Sequence, residues 1–371
     1  MPDKAVSRSE NFSYSSEDFA HSPLILFYEI TRACNLRCRH CRAIAQPHRD
    51  PRELTAEKSK ELLIEAARFP KPPMVVLTGG DPIKRPDIFE LIRFAVAQGI
   101  RIALTPAATR LINPQVVEKL KASGLHRLAI SLDAADALTH DQFRGVPGSF
   151  ARTVDIMRWA GECGLPFQVN TTVTAANAHQ LESIHQLLKD YHPVLWSVFF
   201  LVPTGRAANM PRVSAQEAEE IFAILLRLSQ IGPFAIKTTE APHYRRFLLQ
   251  QIAKQSSAGA RQLPGNLIGT NDGRGVMFVS HIGEIFPSGF LPIECGMFPR
   301  DSIVHVYQNN ELFLSLRNPD ALRGKCGQCN YRDVCGGSRA RAFGVTGNPL
   351  AAEPDCAYGL TQQLTEATSS C

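Results

Sequence analysis

From about residue 24 to residue 203, short apolar runs alternate with longer amphipathic stretches. The apolar runs read "LILFYEI", "MVVLT", "IRIALT", "RLAISL", "FQVNTTV" and "WSVFFLV". Their length and their β-branched and aromatic content predict strands. Helix signals stand between them. Thr55 can cap "AEKSKELLIEAARF". Asn113 and Pro114 open a helix that stops at Gly124, with proline first and glycine last. Ser149 is the expected cap of the helix that ends at Gly164. Ser214 and Glu217 form a capping box ahead of "AEEIFAILLRLS". Six β-then-α units predict a parallel sheet with right-handed crossovers.

The runs all finish in polar or Gly/Pro residues: "TRAC", "TGGDP", "TPAAT", "SLDAAD", "NTTVT" and "PTGRA". A doubly wound sheet binds ligand at one switch point. A βα barrel gathers the carboxyl ends of all its strands on one face, where chemistry takes place. Polar chemistry at all six ends therefore favours an α/β fold built as a partial (β/α)6 TIM-like barrel. Residues 237–275 read as a connecting segment. Beyond it, "GVMFVSHIGEIFPSGF" reads as a β-hairpin turning near residues 281–284.

Composition narrows the class. The chain has 371 residues, of which 44% are hydrophobic, enough for a sizeable core. No apolar run has the length that crosses a bilayer, and the polar N-terminus lacks the apolar stretch of a signal peptide. The expected location is the cytoplasm, without a membrane. A formal charge of +5 is too weak to argue for nucleic acid. Seven of the ten cysteines are clustered, at 34, 38 and 41 and at 326, 329, 335 and 356. Clustered cysteines in a chain of this kind point to metal rather than disulfides. Of the rest, Cys163 reads as core, Cys295 as a free thiol and Cys371 as a frayed end.

Cys34-x3-Cys38-x2-Cys41 offers three thiolates. Three thiolates can hold three corners of a [4Fe–4S] cluster and leave one iron open. Arg32, Arg37, Arg39 and Arg42 read as cations balancing its negative charge. Zinc with His40 as a fourth ligand is the alternative. Cys326-x2-Cys329-x5-Cys335-x20-Cys356 offers four thiolates, the closed shell of a second [4Fe–4S] cluster or of a zinc ion. Arg323, Lys325, Arg332, Arg339 and Arg341 surround it.

With these motifs the sequence resembles the radical S-adenosylmethionine (SAM) superfamily over roughly residues 23–206. The resemblance implies that Cys34, Cys38 and Cys41 hold the cluster, and that SAM chelates its open iron through amino and carboxylate groups. One electron then splits SAM into methionine and a 5′-deoxyadenosyl radical, which takes a hydrogen from the substrate. His40 stands where that family often has an aromatic residue. "TGGDP" resembles the family's "GGEP" element and implies SAM contacts at Gly79, Gly80, Asp81 and Pro82. The same resemblance implies Ser131 near the ribose or carboxylate, Arg144 near a carboxylate and Asn170 near the ribose. "VPTGRA" lies where the family contacts adenine and methionine. The C-terminal cysteines resemble the SPASM and twitch extensions, with one auxiliary cluster. Arg339 stands where the full SPASM pattern has another cysteine.

The implied domains are a flexible lead-in at 1–22, a core barrel at 23–236, the connecting segment, and a small C-terminal β-hairpin/α iron–sulfur domain at 276–371. The tail most resembles the tetrapyrrole branch, which includes the alternative haem synthase. That implies oxidative decarboxylation of iron-coproporphyrin III propionates, with Arg245, Arg246, Arg339 or Arg341 as propionate partners. It also implies a reductant such as ferredoxin or flavodoxin. A maturase that crosslinks or epimerises a ribosomal peptide is the second reading, and a non-catalytic electron carrier a distant third.

Overall fold

The computed structural model of the protein describes residues 14–256 and 269–359. Most of the expected lead-in, part of the connecting segment and Cys371 lie outside the described residues.

All six expected strands form: β1 (Ile25–Thr31), β2 (Met74–Gly79), β3 (Ile102–Leu104), β4 (Arg127–Ser131), β5 (Phe167–Val173) and β6 (Leu195–Phe200). Each pairs in parallel with the next. Helices join them and cover the outer face of the sheet, where Leu26, Leu77, Leu104, Leu128 and Trp196 are buried in one continuous core. This is the partial barrel expected from the strand-and-helix rhythm.

A seventh parallel strand, β7 (Ala235–Thr239), extends the sheet beside β6, with Ser197 opposite Lys237. It straddles the expected boundary between the core barrel, ending at 236, and the connecting segment, starting at 237. "AIKTT" carries almost no apolar signal of its own, and pairing with the free edge of β6 is what makes it a strand.

The C-terminal hairpin also joins this sheet. β8 (Asn271–Asp272) and β9 (Gly275–Val279) run parallel to one another, and β9 pairs in parallel with β1, Ile25 opposite Val276. β10 (Glu284–Phe286) returns antiparallel to β9 and then pairs with β11 (Gly296–Met297). Gly283 N donates to Ser280 O at the expected turn. The C-terminal domain therefore grows out of the barrel's first edge.

Local signals mostly act as expected. Thr55 Oγ1 accepts from Lys58 N, Asn113 Oδ1 from Val116 N, and the Ser214–Glu217 capping box closes in both directions. Ser149 differs. Gly148 occupies the cap position in a left-handed conformation, and Ser149 is the first helical residue, buried against His140. The capping acceptor is Asp141 of the preceding helix, whose carboxylate accepts from Gly148 N and Phe150 N at 2.6 and 2.7 Å. The end of the expected lead-in is also packed rather than flexible. Asp18–His21 is a short helix, Tyr14 and Phe19 are buried, and Tyr307 donates to Phe19 O at 2.9 Å. Among the described residues no helix is long and apolar enough to cross a membrane.

The inner face of the sheet is lined by small and polar residues, including Ala103, Ala129, Asn170 and Thr172. They surround a cavity of about 500 Å³. It reaches from the cysteine loop after β1 to Arg245, Asn271 and Asp272 near the C-terminal domain.

Candidate active site

The loop after β1 is gripped from several strand ends. Cys34 N donates to Gln46 O at 2.7 Å, Gly80 N to Thr31 O at 2.8 Å and Asp81 N to Ala33 O at 2.7 Å. From the helix after β4, Arg144 O and Phe143 O accept from Arg37 N and Arg39 N. From the turn after β6, Arg206 N donates to Cys41 O at 3.1 Å. These contacts need close backbone approach. A Cβ on Gly80 would lie 2.5 Å from Ala33 O, and one on Gly205 would lie 2.5 Å from Arg42 O. Only glycine fits at either position. Gly80→Ala is therefore expected to displace the loop, and the reconstituted protein should lose the iron of the first site while keeping that of the second. Wild-type iron content would contradict this packing account.

The thiols are prepared for metal. Leu36 N donates to Cys34 Sγ at 3.3 Å, Ala45 N to Cys41 Sγ at 3.4 Å, and Arg144 Nη1 approaches Cys38 Sγ at 3.8 Å. Sulfur that receives N–H donors is sulfur set up to carry negative charge. Burial pushes the Cys34 thiol up to about 12 and raises Cys38 as well. Metal binding would displace those protons. Among the described residues, no three His, Cys, Asp or Glu side chains converge as they would on a single metal ion. Three thiols that meet N–H and guanidinium donors are the donor chemistry an iron–sulfur cluster takes.

The four loop arginines do not provide the thiol contact. Arg32 and Arg42 pair with the buried Glu29, while Arg37 and Arg39 are exposed. The guanidinium at the sulfur is Arg144, from the far end of the helix after β4. It is anchored by an ion pair with Asp133. Burial raises the Asp133 carboxyl even against the pull of Arg144. Asp133 also accepts from Thr172 N at 2.8 Å, tying β5 to this corner. Sequence reading passed over Asp133, although it stands two residues beyond Ser131 in "SLDAAD".

Gly79, Gly80, Ser131, Arg144 and Asn170 all line the same cavity as the three cysteines. Asp81 and Pro82 are not brought to that wall. Asp81 is fully buried behind it and accepts from Ile83 N, Ala107 N and Thr109 Oγ1, the last at 2.8 Å. It shapes the turn and fastens the end of β3, so the backbone of this motif, not its carboxylate, faces the cavity. His40 lines the cavity, stacked on Phe143 at 4.4 Å between ring centroids.

Glu29 is the one charge inside an otherwise apolar strand, which was a visible signal for a buried network. Its carboxylate meets Arg32 at 3.0 Å, Arg42 at 2.9 Å and His281 Nδ1 at 2.9 Å, linking β1, the cysteine loop and the hairpin. Burial alone would raise its pKa, but Arg42, His281 and Arg32 hold it down to about 2. The stability it contributes is present above the ordinary carboxylate value and is lost as pH falls through about 2. Glu29→Gln should lower the stability of the metal-free protein at neutral pH by about 3 kcal/mol. The urea midpoints of the two proteins should converge as the buffer is made acid. A constant gap across that range would show that charge is not what Glu29 supplies.

Cys326, Cys329, Cys335 and Cys356 lie in the C-terminal domain. Glu353 N donates to Cys326 Sγ at 3.2 Å, Tyr331 N to Cys329 Sγ at 3.4 Å and Gly337 N to Cys335 Sγ at 3.4 Å. Burial pushes Cys335 up to about 12 and raises Cys356. The donor chemistry fits a second cluster as it fits the first.

The arginines expected to meet propionates are mostly committed elsewhere. Arg341 pairs with Glu353 at 2.8 Å and donates to Leu201 O and Glu240 O. Arg339 donates to the carbonyls of Gly337, Pro349 and Ala351 and lies 3.9 Å from Cys326 Sγ. Arg246 pairs with Glu219. Arg245 alone of the four lines the cavity, and it donates to Val334 O at 2.6 Å. Cys295 is half-buried, its Sγ 3.5 Å from Ile293 O, and is not part of the cavity lining.

Residues 28–189 match the model of the radical SAM superfamily. An AdoMet-dependent heme synthase of Methanosarcina barkeri is 39% identical over 341 residues, covering 91% of this chain and 97% of that protein. This chain belongs to the radical SAM superfamily. A second AdoMet-dependent heme synthase, from Nitratidesulfovibrio vulgaris, is 38% identical to this radical SAM enzyme over 92% of its chain and 94% of the relative. The mycofactocin maturase MftC of Mycobacterium ulcerans is 31% identical, over 92% of this chain and 91% of that one. In fold, this radical SAM enzyme matches Streptococcus suis SuiB, solved bound to S-adenosylmethionine, with a TM-score of 0.71 at 16% identity. The match covers 91% of this chain and 78% of SuiB. A [4Fe–4S] cluster and SAM are the cofactors of this superfamily, and Cys34, Cys38 and Cys41 are the residues that would hold the cluster here.

Proposed function

We propose that this radical SAM enzyme acts on a carboxylated tetrapyrrole, converting propionate arms of iron-coproporphyrin III into vinyl groups. The observation that carries the reading is the likeness to AdoMet-dependent heme synthases along more than nine-tenths of both chains. When bound, SAM and its cluster supply the carbon radical that removes one hydrogen from the propionate β-carbon; CO2 then leaves, a C=C bond forms, and one electron remains to be accepted. The protein's own part is positional. The backbone of Gly79 and Gly80, with Ser131, Arg144 and Asn170, forms the wall beside the cysteine loop where SAM would be held. The sheet encloses that wall, which keeps a reactive carbon species away from solvent. Cys326, Cys329, Cys335 and Cys356 would hold the acceptor for the surplus electron. A ferredoxin or flavodoxin would supply the first electron.

Maturation of a peptide is the second reading, favoured by the 31% identity to a mycofactocin maturase. The two are separated by adding dithionite and SAM to anaerobically reconstituted protein, with and without iron-coproporphyrin III. Porphyrin-stimulated 5′-deoxyadenosine and stepwise loss of carboxylate mass support the first reading. Slow SAM cleavage that ignores the porphyrin rejects it.

A further inference from the structure

We propose that Arg127 and Lys237, with Arg101 beside them, form a carboxylate clamp deep in the barrel cavity that takes a propionate arm of the substrate. The inference rests on the tetrapyrrole reading and deepens it. All three side chains line the cavity that begins at the cysteine loop. Arg127 is the first residue of β4 and Arg101 immediately precedes β3, so they lie toward the amino ends of the strands, away from that loop.

The other cations of the cavity are already satisfied. Arg42 pairs with Glu29, Arg144 with Asp133, and Arg245 with the carbonyl of Val334. Lys237 and Arg127 are different. Lys237 is exposed on the cavity wall and has no hydrogen-bond or ion-pair partner among the described residues. Arg127 makes a marginal contact with Gln168 Oε1 at 3.5 Å, and its buried Nε has no partner.

The carboxylates on the cavity wall, Glu240 and Asp272, are engaged elsewhere. Glu240 accepts from Ser338 Oγ at 2.5 Å and Asp272 from Ala340 N at 2.9 Å, on the C-terminal side. Lys237 is open only to the cavity, and desolvation inside the barrel, with Arg127 nearby, brings it down to about 8; burial and then Arg101 lower Arg127. Arg127 and Lys237, gathered without a carboxylate between them, are unfavourable until a ligand provides one. A carboxylate is suited to the part, since the guanidinium fork can bind it through two oxygens while the ammonium adds a point charge.

The test is a Soret-band titration of the anaerobically reconstituted holoenzyme with iron-coproporphyrin III and with the tetramethyl ester of the same porphyrin. Wild-type protein is compared with Arg127→Gln, Lys237→Met and Lys237→Arg, each checked for wild-type iron content. Arg127→Gln and Lys237→Met should each weaken binding of the free acid by about 10- to 100-fold, the range of a hydrogen bond to a charged group. Binding of the ester should not change, and Lys237→Arg should restore most of the affinity for the acid. If wild type binds the acid and both neutral variants bind it equally well, the clamp is wrong and the tetrapyrrole reading stands. If wild type binds the ester as tightly as the acid, the clamp is likewise wrong. If wild type binds neither, the tetrapyrrole reading falls and the clamp falls with it.

Discussion

Alanine at Cys34, Cys38 or Cys41 should abolish reductive cleavage of SAM, reducing 5′-deoxyadenosine to the background of dithionite and SAM alone. The three thiols leave one short loop whose backbone is fixed by β1, β2, the helix after β4 and the turn after β6. No neighbouring residue can replace a lost ligand without breaking that grip. His40, one residue before Cys41, is half-buried and stacked on Phe143. Iron should fall from about eight to about four per chain in each variant, because the second cysteine set is untouched. Cleavage retained in all three variants would overturn the assignment of the loop.

Loss of Cys326, Cys329, Cys335 or Cys356 should have the opposite signature. SAM cleavage should survive, iron should fall to about four per chain, and formation of the vinyl product should stop. In the proposed reaction these positions would act after the hydrogen has been taken, because decarboxylation leaves an electron that must go somewhere. Unfolding would produce the same loss of product, so SAM cleavage serves as the internal control. Arg341, which donates to Leu201 O and Glu240 O, and the Ser338 hydroxyl bonded to Glu240 fasten this domain to the barrel independently of the metal. A variant that still decarboxylates at the wild-type rate would show that the second cysteine set is not the electron acceptor.

The alternating pattern was enough to read the barrel, because each β-then-α unit carries its own periodicity and often its own cap. Thr55, Asn113 and Ser214 act within four residues of themselves, so their roles were visible in the chain. What could not be read were pairings between distant residues. β7 is a strand because β6 offers it an edge, and β9 is an edge strand of the barrel because β1 does. The cysteine spacings are local, so both candidate cluster sites could be picked out from the chain. Their electrostatics were not. Arg32 and Arg42 are near the cysteines in sequence but belong to Glu29, whereas the guanidinium at Cys38 comes from Arg144, 106 residues away. The same distance effect misassigned Arg339 and Arg341, which look free in sequence but are held by carbonyls and by Glu353. Asp81 stood out in "TGGDP", but only the fold shows its carboxylate turned away from the cavity.

The pairing of β1 with β9 has a consequence for how the protein is made. The first strand leaves the ribosome with one partner, β2, soon to follow, and the other about 250 residues behind. Until β9 is synthesised, one side of "ILFY" offers unpaired N–H and C=O groups beside an apolar surface, the kind of edge that invites aggregation. A chain stopped before residue 270 would keep all six barrel units and still carry that open edge. It should therefore be poorly soluble when expressed alone, and the C-terminal domain is as much a part of completing the barrel as it is a place for iron.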